Sequence, residues 1–165
     1  MEYIKTDIEG VYILKPRLFN DARGYFTETY KKEDFDLNVG RPVEFVQDNQ
    51  SMSSRGVLRG LHYQEGKDSQ AKLVRVIQGS VLDVAVDLRK GSPTFGKYVM
   101  VELSAENMQQ LFVPRGFAHG FYVLSEQATF IYKVDNHYAP QSERTLAYND
   151  PSVNINWPIA EDNPP

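Results

Sequence analysis

The 165 residues carry 18 Lys plus Arg against 22 Asp plus Glu, a net charge of -4, with 41% hydrophobic and 24% charged residues. That is the size of one domain and the balance of an ordinary globular chain, so disorder, collagen-like repeats and a general electrostatic pull toward nucleic acid or anionic membrane are excluded. The absence of cysteine removes disulfides, zinc-thiolate sites, iron-sulfur clusters and thiol nucleophiles, and no apolar run nears the ~20 residues a membrane span needs.

The N-terminus MEYIKTDIEG has no signal-like apolar stretch, and a cytoplasmic protein is expected. Runs of Val, Ile, Thr and aromatic residues broken by Gly, Pro, Asn and Asp then predict strands over Gly10–Leu14, Tyr25–Tyr30, Val43–Gln47, Leu58–Gln64 and Ala71–Ile77. They continue over Ser80–Leu88, Tyr98–Leu103, Leu111–Val113, Ala118–Leu124 and Thr129–Val134. One helix has room, over Lys32–Leu37, stopped by Asn38, Gly40 and Pro42. Many short strands at close spacing predict an all-β sandwich or barrel in one domain over residues 1–165, with a loosely held Pro-rich tail at 158–165.

Alternation along Ala71–Ile77 sets Lys72 on the face of Val74 and Val76, and along Ser80–Leu88 it sets Asp83 with Val81 and Ala85. A lysine there either snorkels to water or meets a partner or substrate. His62 shares its face with Leu58, Gly60 and Gln64, and His119 lies between Phe117 and Phe121; each is either a hydrogen-bonded core residue or a reactive one. His137 reads as surface. Tyr132, on the face of Phe130 and Val134, is either a core aromatic or a hydroxyl aimed into the barrel.

The motif PxGxxH at Pro114–His119 resembles the second half of the cupin double motif, which implies a jelly-roll barrel with one or two short helices. Where a metal-holding cupin places paired histidines and a carboxylate, this chain has His62, Gln64 and Lys72, so no metal is expected. A histidine base, a lysine beside an enolate oxygen and a tyrosine acid together suit proton exchange next to a ketone.

The blocks DARGYFTETY, FVQDNQS, GVLRGLHYQ, AKLVRVIQGSVLDVAVDLRKGSPTFG, VELSAEN, VPRGFAHGFYVLSE and YAPQSER cover almost the whole chain and are similar to the dTDP-4-dehydrorhamnose 3,5-epimerase family of metal-free cupins. The resemblance implies a cofactor-independent isomerase acting at carbons 3 and 5 of dTDP-4-dehydro-6-deoxy-D-glucose, serving L-rhamnose for polysaccharide. It implies His62 as proton acceptor, Tyr132 as proton donor and Lys72 as the cation at the substrate oxygen. Arg23, Glu28, Gln47, Asn49, Arg59, His119 and Glu143 match positions that hold the nucleotide sugar, and Tyr138 matches the aromatic that stacks on thymine. It also implies a homodimer that exchanges N-terminal strands, here Tyr3 to Leu14, and no nucleic-acid or membrane partner.

Two points depart from a simple transfer. Strict alternation sets Arg59 and His62 on opposite faces, so they share a ligand only if Gly60 marks a bulge or twist, or if Arg59 serves another subunit. The family's carboxylate partner for the histidine lies beyond the positions of Trp157 and Pro158, whereas this sequence ends at Pro165, and Asp83 is the expected substitute. Two other readings stay open: an epimerase acting at one carbon of a related dTDP-keto-deoxysugar, and a nucleotide-sugar-binding cupin with little turnover.

Overall fold

A computed structural model describes residues 1–159 and Pro165; of the tail at 158–165, residues 160–164 lie outside the described residues. The strands are β1 (Glu2–Lys5), β2 (Tyr12–Lys15), β3 (Phe19–Asp21), β4 (Gly24–Phe26), β5 (Gln47–Ser54), β6 (Leu58–Gln64) and β7 (Lys72–Gln78). They continue as β8 (Ser80–Asp87), β9 (Tyr98–Ser104), β10 (Gln110–Val113), β11 (Phe117–Val123), β12 (Gln127–Val134) and β13 (Glu143–Thr145), with helix α1 at Lys32–Val39. Two antiparallel sheets face each other, ordered β1-β2-β10-β7-β12-β5 and β13-β6-β11-β8-β9, in a cupin-type jelly roll.

Period-two alternation builds the core. Val74, Val76 and Phe130 from one sheet meet Val81, Ala85, Phe121 and Val123 from the other, all buried. The outer face of the six-stranded sheet is capped by α1, whose Phe35 packs on Leu14, Leu73 and Phe112 with no exposed surface. Burying one such ring stabilises the fold by roughly 2–3 kcal/mol. The helix runs two residues beyond the expected Leu37 and ends at Gly40, whose φ of +77° lets its N–H turn back to the Asp36 carbonyl. Trp157 and Ile155 cover Val84 and Val86 on the outer face of the other sheet.

Two sequence expectations need correction. Val43–Gln47 is not a strand: Val43 is drawn under Phe35, and pairing begins only at Gln47, where β5 opens and runs against β12 to Ser54. The strand expected over Tyr25–Tyr30 stops at Phe26, because β3 and β4 pair only with each other. Within the one chain described, Tyr3 to Leu14, the segment expected to cross between subunits, lies in the six-stranded sheet, where β2 pairs with β10 and Leu14 is buried beneath Phe35. The β3–β4 hairpin stands apart from both sheets, with Phe19, Tyr25 and Phe26 all at least half exposed.

Candidate active site

β6 and β11 define the site. His119 pairs with His62 and Phe121 pairs with Arg59, so Gly60 and Leu61 together face the single residue Gly120. This is a β-bulge, and it turns Arg59 and His62 onto the same side of the strand. Two glycines permit it. Gly60 has a φ of +116°, and a Cβ there would lie 2.7 Å from both Gly120 Cα and the His119 carbonyl oxygen. A Cβ on Gly120 would lie 2.5 Å from the Arg59 carbonyl oxygen.

Beside the bulge lie two adjoining hollows of about 470 and 450 Å³, which share His62, Lys72, Tyr132, Asn49 and Gln50. Arg59 and His119 line the first, whose inner end is closed by Phe121 and Phe130, stacked at 4.2 Å. Gln47, Tyr138 and Glu143 line the second. Another hollow of 590 Å³ lies against Arg75, Ile131 and Lys133; it touches Tyr132 but neither His62 nor Lys72.

His62 stands on β6 and Tyr132 on β12, so they approach the cavity from opposite sheets. Desolvation and the Lys72 charge push the His62 pKa below its ordinary value, with Glu143 opposing, which favours the neutral imidazole. Its Nδ1 lies 3.4 Å from the Thr145 hydroxyl. Lys72 has its ammonium 5.8 Å from the centre of the Tyr132 ring, and burial lowers its pKa to about 8 against the pull of Asp83 and Glu143. Arg59 reaches across to β5, donating from Nε to Ser53 Oγ at 2.8 Å.

Asp83 faces inward, as alternation requires, but it does not pair with His62. Its two oxygens accept from His119 Nε2 at 2.9 and 3.0 Å. The register explains this: Asp83 lies opposite Phe121 and His119 opposite Ala85, so the two are diagonal neighbours on the inner face of β8 and β11. Burial raises the Asp83 pKa, with His119 and Lys72 pulling it back.

The chain does not bring Arg23 and Glu28 to this cavity. Arg23 sits at the turn of the β3–β4 hairpin, its side chain 90% exposed and bonded to Asp21, and Glu28 is exposed just beyond β4. Sequence reasoning gave no role to Gln50, Ser51 or Thr145. The first two lie on β5, and alternation would have signalled Ser51 beside Asn49 had that polar segment been taken as a strand. Among the described residues, no group of three or more His, Asp or Glu side chains is placed to hold a metal ion, and no helix is long and apolar enough to cross a membrane.

The model of the dTDP-4-dehydrorhamnose 3,5-epimerase family matches residues 5–164. A dTDP-4-dehydrorhamnose 3,5-epimerase of Shigella flexneri is 56% identical over 159 residues, covering 96% of this chain and 88% of its own length. The crystal structure of such an epimerase from Elizabethkingia anophelis superposes with a TM-score of 0.96 at 54% identity, covering 99% of this chain and 90% of that one. A dTDP-6-deoxy-D-glucose-3,5-epimerase of Legionella pneumophila, in complex with dTDP-4-keto-L-rhamnose, superposes at 0.93 with 49% identity over 97% of this chain and 85% of its own.

Proposed function

This chain belongs to the dTDP-4-dehydrorhamnose 3,5-epimerase family, and from that premise we propose that its cavity epimerises dTDP-4-dehydro-6-deoxy-D-glucose at carbons 3 and 5 without a cofactor. The observation that carries this reading is the meeting of His62, Lys72 and Tyr132 around one cavity.

Both carbons flank the carbon-4 ketone, so removing a proton from either gives an enolate. Neutral His62 takes the proton from one face of the ring, and the C–H electron pair moves onto the ketone oxygen. Lys72 holds that oxygen with its ammonium, which stabilises charge only as it develops. Tyr132, on the opposite sheet, returns a proton to the other face, and the carbon is inverted. One C–H bond breaks and one forms, with no change of oxidation state; transfer of the imidazolium proton to solvent and reprotonation of the phenolate reset the site. His119, held by buried Asp83, contributes a fixed imidazole to the cavity wall, and the Asp83 charge helps keep Lys72 protonated.

Arg59 meets the diphosphate, Gln47, Asn49 and Glu143 hold the nucleotide sugar, and Tyr138 offers its exposed ring to thymine. Arg23 and Glu28 serve the cavity of a second copy. This accounts for their distance from their own, and the exposed Phe19, Tyr25 and Phe26 give the hairpin a reason to dock. The active form is a homodimer in the cytoplasm, and a monomer by light scattering would remove the shared site.

Incubation with the keto sugar in deuterium oxide tests the reaction. Label is expected at carbons 3 and 5, and His62→Asn is expected to lower its rate by about 10²–10⁴-fold. Label at one carbon would make the protein a single-carbon epimerase, and dTDP binding with no label would make it a binding module.

A further inference from the structure

We propose that Gln64 is a positioning residue for nucleotide recognition, acting through the backbone on either side of Tyr138. Gln64 ends β6 two residues after His62 and is 6% exposed. Its Nε2 donates to the His137 carbonyl at 3.1 Å and to the Asp68 carbonyl at 2.6 Å, while its Oε1 accepts the N–H of Ala139 at 2.8 Å. Two carbonyls need a donor and one N–H needs an acceptor, so these partners fix which way the amide points.

His137 and Ala139 flank Tyr138, so a single side chain grips the main chain on both sides of it. The ring is thereby presented at the rim of the cavity, 60% exposed. Its hydroxyl donates to Glu143 Oε2 at 2.8 Å, and Glu143 pairs with Gln64 across β13 and β6. Other bonds join the same two loops, Ser142 Oγ to Asp68 Oδ2 at 2.5 Å and Asn136 Nδ2 to the Lys67 carbonyl at 3.0 Å, but they lie outside the three-residue grip. A stacking platform fixed before the ligand arrives spares binding the entropy of ordering it. Thus the position that departs from a metal-holding cupin has its amide committed to the nucleotide-binding loop.

This inference rests on the reading of Tyr138 as the thymine platform, and the test separates the two. Titration calorimetry with dTDP and steady-state turnover are measured for Gln64→Ala, Gln64→Glu, Tyr138→Ala and the Gln64→Ala/Tyr138→Ala double variant. Gln64→Ala is expected to weaken dTDP by about tenfold and raise KM in step, with kcat changed by less than about twofold. Gln64→Glu keeps the acceptor for Ala139 but loses both donors, and is expected to fall on the same side. The double variant should bind dTDP no more weakly than Tyr138→Ala alone. Unchanged dTDP affinity in both Gln64 variants beside a weakened Tyr138→Ala, or additive losses in the double variant, would overturn the role of Gln64 and leave the platform standing. Unchanged affinity in Tyr138→Ala would overturn the platform and the inference with it. If Gln64→Ala fails to fold, Gln64→Glu alone and combined with Tyr138→Ala carries the same comparison.

Discussion

Asp83 and Asp87 lie four residues apart on the same face of β8, and neither has any exposed surface. Their surroundings differ. Asp87 accepts from the Arg89 backbone, Nε and guanidinium, from Ser92 Oγ and from Thr94 Oγ1, at 2.6 to 3.0 Å. Burial raises its pKa, but those donors outweigh burial and hold the carboxyl far below the usual range. Asp83 has one donor residue, His119, and there burial prevails and the pKa rises. Asp83 lies deep in the barrel, where desolvation prevails, whereas Asp87 closes the end of β8 beside the turn that supplies its donors, so depth and the number of converging donors together set the opposite electrostatics. The well-satisfied carboxylate anchors the turn from Arg89 to Gly96, whereas the sparsely satisfied one stands behind the cavity.

Mutation of each aspartate tests that contrast. The largest effect is expected from Asp87→Ala, which strands a partly buried guanidinium and two hydroxyls: about 3 kcal/mol of unfolding free energy by urea titration, with kcat unchanged. A drop in kcat without loss of stability would erase the distinction. Asp83→Asn is expected to slow turnover by about 10–100-fold while changing stability by less than about 1 kcal/mol, because it loosens the His119 imidazole and removes the charge that supports Lys72. The pH profile of kcat/KM should be bell-shaped. Its acid limb lies below the ordinary histidine value, because His62 is desolvated beside Lys72, and its alkaline limb lies at about 8, where Lys72 loses its proton. Asp83→Asn should move the alkaline limb to lower pH; an unmoved limb would separate Asp83 from Lys72.

The smallest effect is in stability against pH. A lowered pKa gives Asp87 a contribution fully present above the ordinary carboxylate value and lost as pH falls below it, so the cost of Asp87→Asn grows as pH rises toward about 4 and then levels off. A raised pKa gives Asp83 a contribution present below that value and lost as pH climbs above it, so Asp83→Asn becomes less costly as pH rises above about 4. Parallel trends in urea unfolding would break the comparison.

The strands that were legible in the sequence carry β-branched and aromatic residues in alternation. Leu58–Gln64 matches β6 to the residue, and β7, β8 and β9 end within one residue of their expected bounds. β5 was illegible because QDNQSMSS has no apolar stripe: its inward side chains are polar, and only its eight-residue ladder with β12 makes it a strand. His62, Lys72 and Tyr132 were marked by resemblance, and alternation alone put Lys72 and Asp83 among apolar neighbours. Their partners were not readable. The Asp83–His119 pair depends on the β8–β11 register between residues 36 apart, and the shared side of Arg59 and His62 depends on a bulge that Gly60 suggested but did not prove.

Behind His62, Lys72 and Tyr132, Gly60 and Gly120 let the strands close up, and the rings of Phe121 and Phe130 back the cavity. On the reading proposed above, a departing dTDP still resting on Tyr138 occupies the ground the next substrate needs. Nucleotide without sugar should therefore compete with substrate, and viscous solvent should slow turnover once release governs the cycle.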